Sequence, residues 1–214
     1  MLCGLALLAV IAIAALVAFY LIIAIVVIAK QDRWIYQPRR VRIDAQTPCH
    51  ASMPYKPVAL RTPDGASIHG WFVNGPHPDC PVVLFCHGNA GNMGFRLANV
   101  GLVHKHVGCN ILMVDYRGYG MSDGEPTEEG LMSDAEAVLD HAHAHPTIDS
   151  SKLVLFGRSL GGAVAIYAAS TFPDKVSGVI VENTFYNISE MVDKLFSWLG
   201  RLKFLVLRIY WPSH

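Results

Sequence analysis

A doubly wound α/β domain, its sheet mostly parallel with helices on both faces, is predicted for these 214 residues behind one long apolar helix. Three observations carry that prediction. From residue 82 onward, short continuous apolar runs alternate with amphipathic stretches, the pattern of buried parallel strands and their crossover helices. Two runs on either side of Asp64-Gly65 form a hairpin signature, which adds antiparallel strands at one edge. Met1 to Ala29 contains no charged residue, and it is the source of an overall charged fraction of only 16%, against roughly 25% in soluble domains.

The apolar segment comes first. The 25 residues from Leu5 to Ala29 reach roughly 37 Å as a helix, enough to cross a hydrocarbon core of ~30 Å with some tilt. A cleaved signal peptide would have a basic start and a shorter apolar stretch, and a core helix would show a polar face. Residues 1–29 are therefore expected to be a single-pass membrane anchor. Lys30, Arg33, Arg39, Arg40 and Arg42 follow against Asp32 alone, a bias that places the following domain in the cytosol by the positive-inside rule and suits contact with anionic lipid. Trp34 and Tyr36 are expected at headgroup level. Residues 30–57, with Pro38, Pro48, Pro54 and Pro57, read as a basic juxtamembrane segment and linker, and 58–214 as the domain.

Within that domain, Val58 to Arg61 and Ser67 to Val73 are the hairpin strands. Val82 to Cys86 is a buried strand, followed by a helix within Met93 to Val107. Ile111 to Val114 is the next strand. The helix after it starts at about Thr127, a good N-cap with Glu128 and Glu129 in the first turn, and ends near His143. Leu153 to Phe156, a helix from Leu160 to about Ser170, and Val176 to Val181 complete the alternation. Met191 to Tyr210 reads as an amphipathic helix with Arg201, Lys203 and Arg208 interspersed, either the start of a lid over residues 187–214 or a membrane-surface element.

Charge and cysteine content exclude several function classes. Seventeen Lys+Arg balance seventeen Asp+Glu, which argues against a nucleic-acid binder. Cys3, Cys49, Cys80, Cys86 and Cys109 form neither a regular disulfide framework nor a CxxC zinc pair. His141, His143 and His145 alternate at i and i+2, as do His104 and His106, so these neighbours point to different helix faces and are read as solvated surface. No metal or cofactor is expected. Asn187-Ile188-Ser189 is a glycosylation sequon that matters only in a secretory lumen.

The chemistry lies in Gly157-Arg158-Ser159-Leu160-Gly161, between an apolar strand and an apolar helix. A G-x-S-x-G turn in that context lifts a serine hydroxyl above the sheet edge and aims a helix N-terminus at developing negative charge. Ser159 is the candidate nucleophile, with Gly157 and Gly161 as the glycines that the tight turn requires. The second signal, His87-Gly88-Asn89-Ala90-Gly91-Asn92, follows the Val82 to Cys86 strand, at the loop that supplies the other oxyanion donor in such sites. The backbone N–H groups of Asn89 and Leu160 are assigned as the pair, with His87 and Gly88 as supporting loop residues. Asp115 and Arg117, in Asp115-Tyr-Arg-Gly-Tyr-Gly120, are read as structural.

With Phe156-Gly-Arg-Ser-Leu-Gly-Gly-Ala163 and Val181-Glu-Asn-Thr-Phe185, these motifs make the whole chain resemble the membrane-anchored α/β-hydrolases, a family of serine hydrolases. The resemblance implies a membrane-bound esterase-like enzyme, without cofactor, acting on a small-molecule, lipid or acyl-protein substrate through a Ser nucleophile. It also implies an acid after a later strand and a histidine after the last. Ser159 is followed by 55 residues, with Asp174, Glu182, Glu190 and Asp193 as acids and His214 as the sole histidine, no strand being predicted to hold it. The sequence-based expectation is thus a hydrolase fold lacking its C-terminal strands, with the triad acid and base missing. The rival reading is a catalytically inactive hydrolase-fold membrane protein, a scaffold or a non-functional fragment.

Overall fold

The computed structural model describes residues 2–40, 46–146, 148–195 and 197. Six strands form one sheet in the order β1-β2-β4-β3-β5-β6: β1 Tyr55–Arg61, β2 Ser67–Val73, β3 Val82–Cys86, β4 Asn110–Val114, β5 Leu153–Arg158 and β6 Gly178–Glu182. β1 and β2 are antiparallel, β2 joins β4 antiparallel, and β4, β3, β5 and β6 run parallel. The helices are α1 Leu2–Ile35, α2 Leu97–Val107, α3 Glu128–Ala144, α4 Leu160–Thr171 and α5 Ile188–Leu195.

Every residue of β3 and β4 is buried, because both faces of the sheet are covered. The period of two still sorts them. Val82, Leu84, Leu112, Val114, Leu153 and Leu155 pack with α3 and α4 on one face. Val83, Phe85, Ile111 and Met113 pack with α2 and Trp71 on the other. Thr127 caps α3 as expected, its side chain accepting from the Gly130 N–H at 3.0 Å. Gly108, in the left-handed conformation, closes α2. Glu182 ends β6, whose Val179, Ile180 and Val181 are exposed at the sheet's edge.

Several expectations need correction. The first helix continues past residue 29 to Ile35, and Tyr36 does not face outward as a lipid anchor would: it is 1% exposed, within the cluster under α3 and α4. The segment read as a free linker is bound to the domain. Pro38 bridges Gly91, Arg40 bridges Gly120, Pro48–Ala51 forms a 3₁₀ turn, and β1 begins at Tyr55. His141 and His145, four residues apart, face each other with ring centroids 5.7 Å apart, and His145 stacks on Phe72, so this end of α3 is packed rather than simply solvated. Of the anticipated Met191 to Tyr210 helix, the described helix starts earlier, at Ile188, and ends at Leu195; residues 196 and 198–210 and His214 lie outside the described residues, as does Arg42.

One charged cluster ties the loop after β4 to α3. Asp134 is fully buried and accepts from both the backbone N–H (2.8 Å) and the Nε (2.9 Å) of Arg117, whose Nη1 reaches Asp64 in the β1–β2 loop at 2.6 Å. The Arg117 hydrogen bonds hold the Asp64 carboxyl well below the ordinary carboxylate range, whereas burial pushes Asp134 up. Arg117→Ala leaves Asp134 buried without its countercharge and is expected to cost about 3–5 kcal/mol in denaturant unfolding. Asp64→Asn removes a half-exposed partner and is expected to cost under about 1 kcal/mol. Because the folded-state pKa of Asp64 is depressed, the small advantage of Asp64 over Asn is present above about pH 4 and is lost as the pH falls further.

Candidate active site

Ser159 stands between β5 and α4 with φ 54° and ψ −118°, a combination that L-residues rarely adopt. The neighbouring glycines explain how it is held there. A side chain on Gly157 would begin 2.2 Å from the Gly161 carbonyl oxygen, and one on Gly161 would begin 2.0 Å from that of Cys86. Neither fits. The turn is fixed further by the Ser159 N–H donating to the Glu182 carbonyl at 3.0 Å and by Thr184 Oγ1 donating to the Ser159 carbonyl at 2.9 Å. Gly162 leaves the space that Thr184 fills. The strain of the turn is thus carried by the ends of β5 and β6.

Leu160, buried, is the first residue of α4, where an N–H has no intrahelical acceptor. Across from it runs the loop after β3. Gly88 is close enough that a side chain there would begin 3.6 Å from Ser159 Cβ. Among the described residues, neither the Asn89 nor the Leu160 N–H donates to a backbone carbonyl outside its own element. Two donors are therefore free of backbone acceptors, one on the loop whose Gly88 lies against the serine and one at the helix start, groups able to receive an anionic oxygen.

His87 is fully buried, with its Nδ1–H on the Gly88 carbonyl at 2.8 Å and its ring 4.3 Å from that of Tyr116. Tyr116 in turn donates to the His87 carbonyl at 3.0 Å. His87 Nε2 lies 3.4 Å from Asp115 Oδ1, longer than a good hydrogen bond, and that oxygen already accepts from the Met93 N–H at 2.7 Å. These groups brace the loop from beneath. The Cys86 thiol is pushed up to about 12 by burial and stays protonated, which makes it core rather than a second nucleophile.

The loop is also held from outside, by an element that the motif alone does not reveal. The Asn89 side chain donates to the Ile35 carbonyl and accepts from the Gln37 N–H (3.0 Å) and from the Tyr119 hydroxyl (2.8 Å). The Arg39 N–H donates to Gly91, and the Gly91 N–H to Gln37. Among the described residues no histidine hydrogen-bonds the Ser159 hydroxyl, and no group of three metal-ligating side chains occurs. Glu182, one of the acids considered above, faces Arg158 at 3.7 Å.

A strand order of 1-2-4-3-5-6 around a serine elbow is joined by a direct sequence match: residues 81–206 fit the family described as alpha/beta hydrolase fold. The chain belongs to the α/β-hydrolase family. Among α/β-hydrolase relatives, it is 40% identical to the alpha/beta hydrolase domain-containing protein WAV2 of Arabidopsis thaliana over 177 residues, 80% of this chain and 57% of that protein. It is 36% identical to the uncharacterized membrane protein YNL320W of Saccharomyces cerevisiae (84% and 64% covered), and 35% identical to protein bem46 of Schizosaccharomyces pombe (77% and 56% covered). The chain thus spans about three-fifths of the length of the curated relatives it matches. The fold also matches an esterase of Pyrococcus furiosus (TM-score 0.61, 21% identity, 80% and 67% covered). An α/β-hydrolase from Vibrio vulnificus matches as well (TM-score 0.63, 24% identity, 74% and 57% covered).

Two substitutions read the elbow's strain directly. Ser159→Gly relieves the positive φ at some cost in chain entropy and is expected to leave the protein about 1 kcal/mol more stable than Ser159→Ala. Gly161→Ala drives a methyl group into the Cys86 carbonyl and is expected to destabilise by several kcal/mol, about 3 or more. Denaturant midpoints of the three variants check both.

Proposed function

We propose that this chain carries the nucleophile and oxyanion hole of a membrane-tethered serine hydrolase that cleaves an ester, thioester or amide. The observation that carries the reading is the strained Ser159, with free N–H groups on the neighbouring loop and at the start of α4. Ser159 Oγ attacks the substrate carbonyl as its proton passes to a base, and the carbonyl oxygen gathers charge against the Asn89 and Leu160 N–H groups. Collapse expels the alcohol, thiol or amine, which takes up the proton, and water then hydrolyses the acyl-Ser159 ester.

By the chain order usual in this family, the base is a histidine and its orienting carboxylate a residue, both C-terminal to Ser159. Asn89 serves through its backbone, and its side chain holds the loop. His87 is a brace, placed before the nucleophile and committed through Nδ1 to the Gly88 carbonyl. The apolar run of α1, whose most apolar 18-residue window has mean hydropathy 3.2, supports the tether, as does the description of the yeast relative as a membrane protein. The basic residues after the run support a cytosolic domain. The esterase among the structural neighbours supports acyl-ester chemistry.

Labelling with a fluorophosphonate probe tests the reading in the membrane-embedded protein. Labelling of the wild type that disappears in Ser159→Ala, a loss of about a thousandfold or more, is the expected outcome. A wild type that takes no probe, or labelling that survives Ser159→Ala, overturns it and leaves the hydrolase fold in a non-catalytic role.

A further inference from the structure

The edge of the sheet that carries Ser159 is also the edge tied to the helix that crosses the bilayer. β3, β4 and β5 run parallel, so the loops after Cys86, Val114 and Arg158 emerge on the same side. Asn89 and Gly91 on the first loop, and Gly120 on the second, bind residues 35–40. Ile35 lies about 9 Å beyond Ala29 along the helix, which is roughly 7 Å along the membrane normal for a ~37 Å run tilted to span ~30 Å, within a headgroup layer ~5–8 Å deep. When the apolar run fills the hydrocarbon, these loops are held at the level of the headgroups.

Two large apolar side chains stand out from those loops. Phe95 is 54% exposed, with the Arg39 guanidinium 5.5 Å from its ring centroid, and Met121, next to Gly120, is 51% exposed. With Arg39 and Arg40 they make an apolar and basic surface around the helix exit, continuous with the membrane span itself. That is the composition of a surface that enters the interface of an anionic bilayer. The opposite edge, at Ser150–Lys152 before β5, is about 20 Å away along the strands.

We propose that the mouth of the Ser159 site rests on the bilayer, with Phe95 and Met121 in the headgroup layer and Arg39 and Arg40 against anionic lipid phosphates. The acyl substrate is then a membrane-resident amphiphile, its chain in the hydrocarbon and its scissile carbonyl at headgroup depth. This choice of substrate rests on the serine hydrolase proposal above; the orientation does not.

The test uses the whole protein in nanodiscs containing phosphatidylserine, spin-labelled at Met121→Cys or, as a control, at Ser151→Cys, with Cys3, Cys49 and Cys80 changed to Ser. The label at 121 is expected to be relaxed more by oxygen than by a water-soluble nickel chelate, and the label at 151 the reverse. Equal nickel access at both positions overturns the orientation. In the same nanodiscs, long-alkyl and short soluble fluorophosphonates compete for Ser159, and Met121→Glu is expected to lower the long-to-short labelling ratio about fivefold. An unchanged ratio overturns the substrate class. A wild type that takes neither probe defeats the serine hydrolase reading, while the spin labels still decide the orientation.

Discussion

At the end of β3, the carbonyl of Cys86 occupies the space where a Gly161 side chain would begin, so the loop after β3 and the helix after β5 meet as bare backbone. Much else follows from that contact. It brings Gly88 against the elbow and forces the serine to turn the corner with positive φ. A backbone held that way costs of order 1–3 kcal/mol, and it persists only because the ends of β3, β5 and β6 leave it no alternative. Thr184 on the Ser159 carbonyl and Glu182 on its N–H are the visible part of that support.

Charge does the bracing one layer further out. Asp115 and Asp134 are both buried; Asp115 accepts from the Met93 backbone N–H, and Asp134 from the Arg117 backbone N–H as well as its guanidinium. A buried carboxylate that accepts backbone donors fixes the path of the chain in a way that apolar packing does not, since its lone pairs demand particular partners. Asp115 thereby sets where the loop after β3 turns into α2. Asp134 sets where the loop after β4 leaves the sheet. Gly120 completes the arrangement by approaching Asp115 so closely that no side chain is possible there.

What the sequence discloses and what it hides divide along the range of the interactions. Strands, helices and the Thr127 cap are local matters of apolar period and capping chemistry, and they appear within a residue or three of where the pattern puts them. The elbow is equally legible, because strand, glycine, serine, glycine and helix follow one another directly. Tyr36 is not legible: an aromatic residue just past an apolar run has the signature of an interfacial anchor, and only tertiary packing draws it into the core. Nor is the Asn89 side chain, whose partners at Ile35 and Gln37 lie 54 and 52 residues away and leave no mark in the motif. The same distance hides the binding of residues 37–40, where prolines point to a linker and the glycines that receive them are in other loops.

The first helix does not end where its apolar run does. Gln31 near its last turn is 4% exposed, and Tyr36, one residue after the helix, is 1% exposed within the domain's own core, so a single helical element runs from the apolar segment into the folded domain. A protease that cut after residue 40 would part the domain from the plug that Tyr36 forms and from the contacts that Ile35, Gln37 and Arg39 make with the loop after β3. A cut near residue 30 would spare both. Release of the domain with its packing intact is therefore confined to cuts in the last turns of the helix, before Tyr36.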